Sequence, residues 1–155
     1  MEVTIRPANE SDIDVIVEFS HQLYEDDPAS IDLPAFAAQF VRSALVQLID
    51  TPSSLGRVWL ITDGDEPIGY VVLTLGFSLE YHGQDAFIDE LFIKASHRRK
   101  GVGTKVMEFV EAASRELNIN ALHLEVERAN LPARDLYQKF GFEDHARYLM
   151  TKLLK

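Results

Sequence analysis

The 155-residue chain contains no cysteine. Disulfides, thiolate-bound zinc and a cysteine nucleophile are thereby excluded. No apolar run approaches the roughly 18–20 residues that a membrane helix needs. The opening MEVTIRPANE has no basic region followed by an apolar stretch, so no secretory signal is expected, and a cytoplasmic location fits. Positive charge is scarce: 15 Lys and Arg stand against 25 Asp and Glu, a formal net charge of −10. Such a surface repels nucleic acid and anionic membranes, and it attracts cationic small molecules or basic peptides. The histidines at 21, 82, 97, 123 and 145 show no HxH or HExxH spacing. No metal is expected on that count.

What is present is enough for one core. The length suits a single domain over residues 1–155, and 46% hydrophobic with 26% charged residues is ordinary for a globular chain. Val3 and Ile5 suggest a strand ended by Pro7. Asn9 or Ser11 then caps a helix with Ile13, Ile16, Val17, Ser20 and Leu23 on one face, closed by Glu25-Asp26-Asp27-Pro28. Leu33, Phe36, Ala37, Phe40, Val41, Ala44, Leu45 and Leu48 form the stripe of a second helix, closed by Thr51-Pro52.

The period then changes. Arg57–Thr62 and Ile68–Leu75 read as strands joined by a tight turn at Asp63-Gly64-Asp65. Ala86–Lys94 reads as a third strand, buried on both faces. A helix is expected over about Gly101–Asn118 and a strand over Ala121–Val126. A short helix capped by Asn130 and stopped at Gly141 comes next, then strands near Phe142–Ala146 and Tyr148–Leu153. The order predicts a mixed α/β fold with a largely antiparallel sheet.

One segment runs against the acidic average. Arg98-Arg99-Lys100-Gly101-Val102-Gly103-Thr104 follows the third strand and opens a helix. Glycines let backbone amides approach an oxygen-rich ligand, a helix N-terminus offers unpaired N–H groups, and the cations add full charges. A P-loop is excluded by the order Thr104-Lys105 and by the lack of a glycine five residues before Gly103. The dinucleotide fingerprint fails at Val106, where a third glycine belongs, and an early antiparallel hairpin disagrees with a doubly wound sheet. Arg/Gln-x-x-Gly-x-Gly/Ala after a buried strand fits at every fixed position.

That hexapeptide resembles the pyrophosphate loop of the GNAT superfamily of N-acetyltransferases. Asn130-Leu131-Pro132-Ala133-Arg134-Asp135-Leu136-Tyr137-Gln138-Lys139-Phe140-Gly141-Phe142 looks like the family's N-x-x-A-x-x-L-Y-x-x-x-G-F segment. The resemblance covers essentially the whole chain and is weakest in the first two helices. It implies a splayed, mostly antiparallel sheet flanked by about four helices, acetyl-CoA as cosubstrate without a metal, and an amine acceptor. Similar enzymes are often homodimers.

The resemblance also assigns roles. Residues 98–104 would hold the pyrophosphate, and the backbone of Leu91, Phe92 and Ile93 would line the acetyl and pantetheine arm, with an oxyanion donor near Leu91. Asn130 would hold the pantetheine or simply cap its helix. Tyr137 would protonate the leaving thiolate; its alternative is a core tyrosine. With no cysteine, an acetyl-cysteine intermediate is impossible, so direct attack is expected. For the base, Asp89 and Glu90 are adjacent carboxylates in an apolar strand, and each could instead be ion-paired. Strict alternation puts Asp89 on one face with Leu91 and Ile93 and sends Glu90 to the other. In the spermidine/spermine acetyltransferases, which the chain resembles here, an acid occupies the position of Asp89, so Asp89 is the favoured base and Glu90 the second. Tyr24 and Glu25, with Glu80 and Tyr81, suit an amine cation. The expected function is N-acetylation of a small amine, a polyamine or diamine included. Acetylation of a peptide or protein amine, a non-catalytic acyl-CoA sensor and a nucleotide-binding enzyme are the alternatives.

Overall fold

The computed structural model describes residues 1–26, 35–50 and 53–155. It divides into two compact units, Met1–Glu125 and Val126–Lys155.

The first unit is a five-stranded sheet in sequence order: β1 (Val3–Pro7), β2 (Gly56–Asp63), β3 (Glu66–Ser78), β4 (Gly83–Ile93) and β5 (Ala121–Leu124). The first three pairings are antiparallel and β4–β5 is parallel. A parallel neighbour needs a crossover, and α3 (Val102–Glu116) supplies it. The mixed α/β architecture expected from the order of periods is therefore present.

Asn9 begins the first helical layer. Its side chain accepts from the Ser11 amide at 2.9 Å, and the Asp12 carboxylate accepts from the Asn9 amide at 2.9 Å. Arg6 grips the same carboxylate with both guanidinium nitrogens, at 2.8 and 2.9 Å. That pair holds the Asp12 carboxyl below its usual range, and ties β1 to the start of α1 (Ile13–Asp26). Ile13, Ile16, Val17 and Phe19 then pack with Val58, Leu60, Tyr70, Val72 and Phe92 of the sheet, joined by Leu45 of α2 (Ala38–Ile49). On the opposite face Trp59 meets Phe109 of α3 edge-on at 5.4 Å, and Val102, Val106, Met107 and Val110 are buried.

Several expectations change. Of the second helix's apolar stripe, Leu45 is buried but Phe40 is exposed, because the helix starts only at Ala38 and presents its first turn to solvent. Leu33, Asp27-Pro28 and Thr51-Pro52 lie outside the described residues. The strand expected over Ala86–Lys94 is not buried on both faces: Ala86, Ile88 and Phe92 are, whereas Phe87 and Asp89 are open. Among the described residues no strand follows β5. Tyr148, Leu149 and Met150 are three consecutive exposed apolar residues, and β-rich composition makes no strand without a ladder partner.

In the second unit, α4 (Leu131–Lys139) is capped at both ends. Asn130 Oδ1 accepts from the Ala133 amide at 3.3 Å. At the other end Gly141 is left-handed (φ 85°). Its amide donates to the Gln138 carbonyl, and the Phe142 amide donates to that of Tyr137. This is a Schellman stop, and the usual apolar contact across it is made by Tyr137 and Phe142, 5.9 Å apart and edge-on.

Candidate active site

β4 carries an extra residue. Val72 faces Glu90 and Leu73 faces Ile88, so Asp89 has no counterpart on β3. Directly opposed residues share a face. Glu90 and Phe92 therefore join Val72 and Tyr70 on the α1 side, while Leu91 joins Val71 on the α3 side. Such a bulge bends the strand and re-aims the side chains after it. Alternation across Asp89, which tied it to Leu91 and Ile93, does not apply at a residue left unpaired.

The two carboxyls have different surroundings. Tyr70 donates its phenol to Glu90 Oε2 at 2.7 Å, and Ser20 of α1 reaches Oε1 at 3.5 Å. Burial pushes the Glu90 carboxyl up; the Tyr70 bond offsets part of that and the Asp89 charge adds to it. Burial, then the Glu90 charge, drives the Tyr70 phenol far above its ordinary range, so it stays a donor. Asp89 is open to solvent and has no side-chain partner among the described residues. The protein mass around it still pushes its carboxyl up. Sequence reasoning missed Tyr70 and Ser20, which come from elements 20 and 70 residues away and carry no local signal.

Beside these carboxyls the sheet opens. The β4–β5 ladder runs from Asp85↔Ala121 to Ile88↔Leu124 and stops. From Asp89 to Ile93, β4 has no partner on β5, leaving an edge of backbone donors and acceptors.

At the end of β4 the chain enters the glycine turn. Arg99 is left-handed at φ 58° and Gly101 at φ 83°. Gly101 caps α3 with no side-chain hydrogen bond. The amides of Val102, Gly103 and Thr104 therefore lack an intrahelical acceptor and a capping side chain, the geometry of an anion site. Arg98 is otherwise occupied. Its Nε donates to the Ile93 carbonyl at 2.7 Å, its Nη2 meets Asp26 at 3.0 Å, and the guanidinium lies 5.6 Å from the Phe92 ring centre. Arg99 and Lys100 have no partner among the described residues.

In the second unit burial pushes the Tyr137 phenol up, which keeps it a proton donor. The residues suited to an amine cation do not gather. Tyr24 and Glu25 lie in the last turn of α1, beside Phe36 at 6.1 Å and His21 at 3.3 Å respectively. Glu80 and Tyr81 lie in the β3–β4 turn, at the far end of β4 from Arg98. Among the described residues no helix is long and apolar enough to cross a membrane, and no group of three or more His, Asp or Glu could hold a metal.

A family model described as the acetyltransferase (GNAT) family matches residues 19–142. The chain belongs to that family. It is an acetyltransferase whose acetyl donor is acetyl-CoA. A bovine (Bos taurus) thialysine N-epsilon-acetyltransferase is 24% identical over 152 residues, covering 92% of this chain and 85% of the relative. An integron cassette protein from the mobile metagenome of Cole Harbour Salt Marsh superposes with a TM-score of 0.80 at 34% identity, covering 97% and 90% of the two chains. A predicted acetyltransferase from Clostridium acetobutylicum, solved with acetyl-CoA, has a TM-score of 0.78 at 18% identity, covering 98% and 97%.

Proposed function

We propose that the chain acetylates a primary amine of a small molecule by direct attack on acetyl-CoA in a ternary complex. The observation that carries this reading is Asp89: an accessible carboxyl on a bulge, without a side-chain partner among the described residues, pushed up by its surroundings and beside the open edge of β4. A carboxyl raised in this way is a better base near neutral pH. The name of the bovine relative, which specifies an ε-amine, agrees with a flexible primary amine.

In this reading the Val102, Gly103 and Thr104 amides, with Arg99 and Lys100, receive the pyrophosphate. Arg98 braces the turn through Ile93 and Asp26. The pantetheine arm runs along Leu91–Ile93, and a backbone N–H near Leu91 receives the developing oxyanion. Asp89 takes the proton from the ammonium, directly or through a water. The amine nitrogen attacks the thioester carbon, the C–S bond breaks, Tyr137 gives its phenolic proton to the departing thiolate, and the second proton shed by the nitrogen returns to the phenolate through water. Glu90 serves as a fixed second carboxyl held by Tyr70 and Ser20. Asn130 contributes by capping the helix that carries Tyr137.

Release of free CoA, followed across a panel of amines and lysine peptides, tests the reading. Turnover with small amines and none with peptides is expected. Turnover with peptides alone moves the acceptor to a protein amine. No turnover with either, alongside tight acetyl-CoA binding, leaves a sensor. Asp89→Asn should abolish most of kcat, and a normal kcat in that variant removes Asp89 as the base.

A further inference from the structure

The open edge of β4 presents its polar groups at two residues. Along a strand, successive residues turn their N–H and C=O groups to alternate sides. The Lys94 amide donates to the Ile68 carbonyl at 2.8 Å, and a Cβ on Gly69 would meet the Phe92 carbonyl oxygen. Phe92 and Lys94 are therefore turned to β3. Leu91 and Ile93 are turned the other way, to the edge that β5 leaves after Ile88↔Leu124.

One of those groups is already taken. The Ile93 carbonyl accepts from Arg98 Nε at 2.7 Å. The rest of the guanidinium is held on two further sides. Its Nη2 donates to Asp26, the last residue of α1, at 3.0 Å, and its centre lies 5.6 Å from the ring of the buried Phe92. A side chain tied at three places keeps Nε on that carbonyl. Among the described residues no side chain reaches the Leu91 carbonyl.

An extended ligand with amides pairs with a strand edge as another strand would. Pantetheine has two amides on a flexible chain. Slipping by two residues, about 7 Å, would leave it on equivalent groups of a bare edge. The slip would carry the thioester away from Asp89.

We propose that Arg98 is a register stop: by occupying the Ile93 carbonyl it leaves the Leu91 carbonyl as the edge acceptor for pantetheine, and so sets where the thioester lies against Asp89. Arg98 is then a positioning residue that acts through its Nε–H, while its charge serves Asp26 and not the phosphates. The inference rests on the proposed path of the pantetheine arm along Leu91–Ile93.

Three substitutions separate the donor from the charge. Gln carries Nε2 as many bonds from Cα as Arg carries Nε, so Arg98→Gln keeps a donor for Ile93 and loses the charge. Arg98→Lys keeps the charge and has a methylene in place of Nε. Arg98→Met loses both. The acetyl donors are acetyl-CoA and S-acetylpantetheine, which has no pyrophosphate, with n-hexylamine as acceptor. Free thiol is read directly, because the chain has no cysteine. With S-acetylpantetheine, Arg98→Met and Arg98→Lys should lower kcat by about tenfold or more, the cost of a misplaced reacting group, with KM little changed. Arg98→Gln should stay close to native. Losses with acetyl-CoA should be smaller, since the glycine turn holds its far end, and calorimetry should give similar acetyl-CoA affinities across the set. The opposite order, with Arg98→Lys native-like and Arg98→Gln as poor as Arg98→Met, makes Arg98 a charge for the phosphates and overturns the proposal. So does unchanged S-acetylpantetheine turnover in all three. If no amine releases thiol, the small-amine reading fails, and a crystal structure of the native protein with CoA still decides the stop. Arg98 Nε on Ile93 with a pantetheine amide on the Leu91 carbonyl upholds it; Arg98 on the pyrophosphate removes it.

Discussion

Tyr70→Phe removes one oxygen and leaves the ring in place. In the native protein that oxygen donates to Glu90 Oε2 at 2.7 Å, and among the described residues the other partner of the carboxyl is Ser20 at 3.5 Å. A hydrogen bond to a charged group contributes about 1.5–3 kcal/mol, against about 1 kcal/mol between neutral groups. The ring itself stays packed on Phe19 and Phe92 at 6.4 and 6.3 Å, so little packing is lost. At pH 8 the substitution should cost about 2 kcal/mol, a fall of roughly 4–8 °C in Tm for a chain of this size. In a Glu90→Gln background it should cost about 1 kcal/mol, because the surviving bond joins neutral groups.

The pH dependence has a definite sign. The folded Glu90 carboxyl is raised above its unfolded value, mainly by burial. The folded state then holds more protons than the unfolded one, so stability from this group falls as pH rises from its ordinary value of 4.5 through the folded one. Tyr70 opposes that fall by bonding the charged form. The Tyr70→Phe penalty should therefore be smaller at pH 4 than at pH 8. Urea unfolding of the four proteins of the cycle, at both pH values with m constant, measures it. Additivity within about 0.3 kcal/mol at pH 8 would refute the coupling, and Glu90 would not be held by Tyr70.

Asp12→Ala should cost about 2 kcal/mol at pH 7, since it strips Arg6 and the Asn9 amide of a charged acceptor. The Asp12 carboxyl is depressed, so its stabilisation is present above its ordinary value of 3.8 and is lost as pH falls through the lower folded value; chemical unfolding from pH 6 to pH 2 should show native and mutant converging. Gly101→Ala forces a left-handed residue to carry a Cβ, costing about 1–2 kcal/mol, and should weaken acetyl-CoA binding in calorimetry. Arg99→Gln with Lys100→Gln should weaken acetyl-CoA more than Arg98→Gln does, because Arg98 is already engaged by Asp26 and Ile93; the reverse order would show that Arg98 leaves those partners for the phosphate. Tyr137→Phe should lower kcat with little change in acetyl-CoA affinity, and an unchanged kcat would remove it as the acid.

Local patterns were legible wherever the chemistry is local. Asn9 before an apolar stripe, glycines opening α3 and Asn130 to Gly141 framing α4 each act within a few residues, and each stands at the helix end where the sequence places it. The Y-x-x-x-G-F spacing is one case: it is the geometry of a Schellman stop, which fixes the ring of Tyr137 against Phe142. Tyr70 with Glu90, Arg98 with Asp26 and His123 with Asp85 were not legible. Each joins residues 20 to 72 positions apart, and nothing in either local segment announces the other.

The strand expected over Ala86–Lys94 shows why one residue can matter more than a whole pattern. Side chains alternate with period two, so an inserted residue reverses the faces of everything beyond it. Read as a regular strand, Phe87 shares its face with Asp89 and Leu91, and Glu90 points away. With Asp89 extruded, Phe87 and Asp85 share a face with Glu90 instead. The insertion falls where β5 leaves β4, so one irregularity both opens the edge and reassigns the carboxyls. Asp89 becomes accessible because it has no place in the ladder. Glu90 becomes enclosed because it inherits the α1 face and the phenol of Tyr70. Two adjacent acids thus receive different surroundings from a single backbone event. Deleting Asp89 should therefore remove the proposed base and leave the faces as they are: Ile88 and Glu90 become neighbours, the strand regains period two, and Asp85, Phe87, Glu90 and Phe92 keep the α1 face.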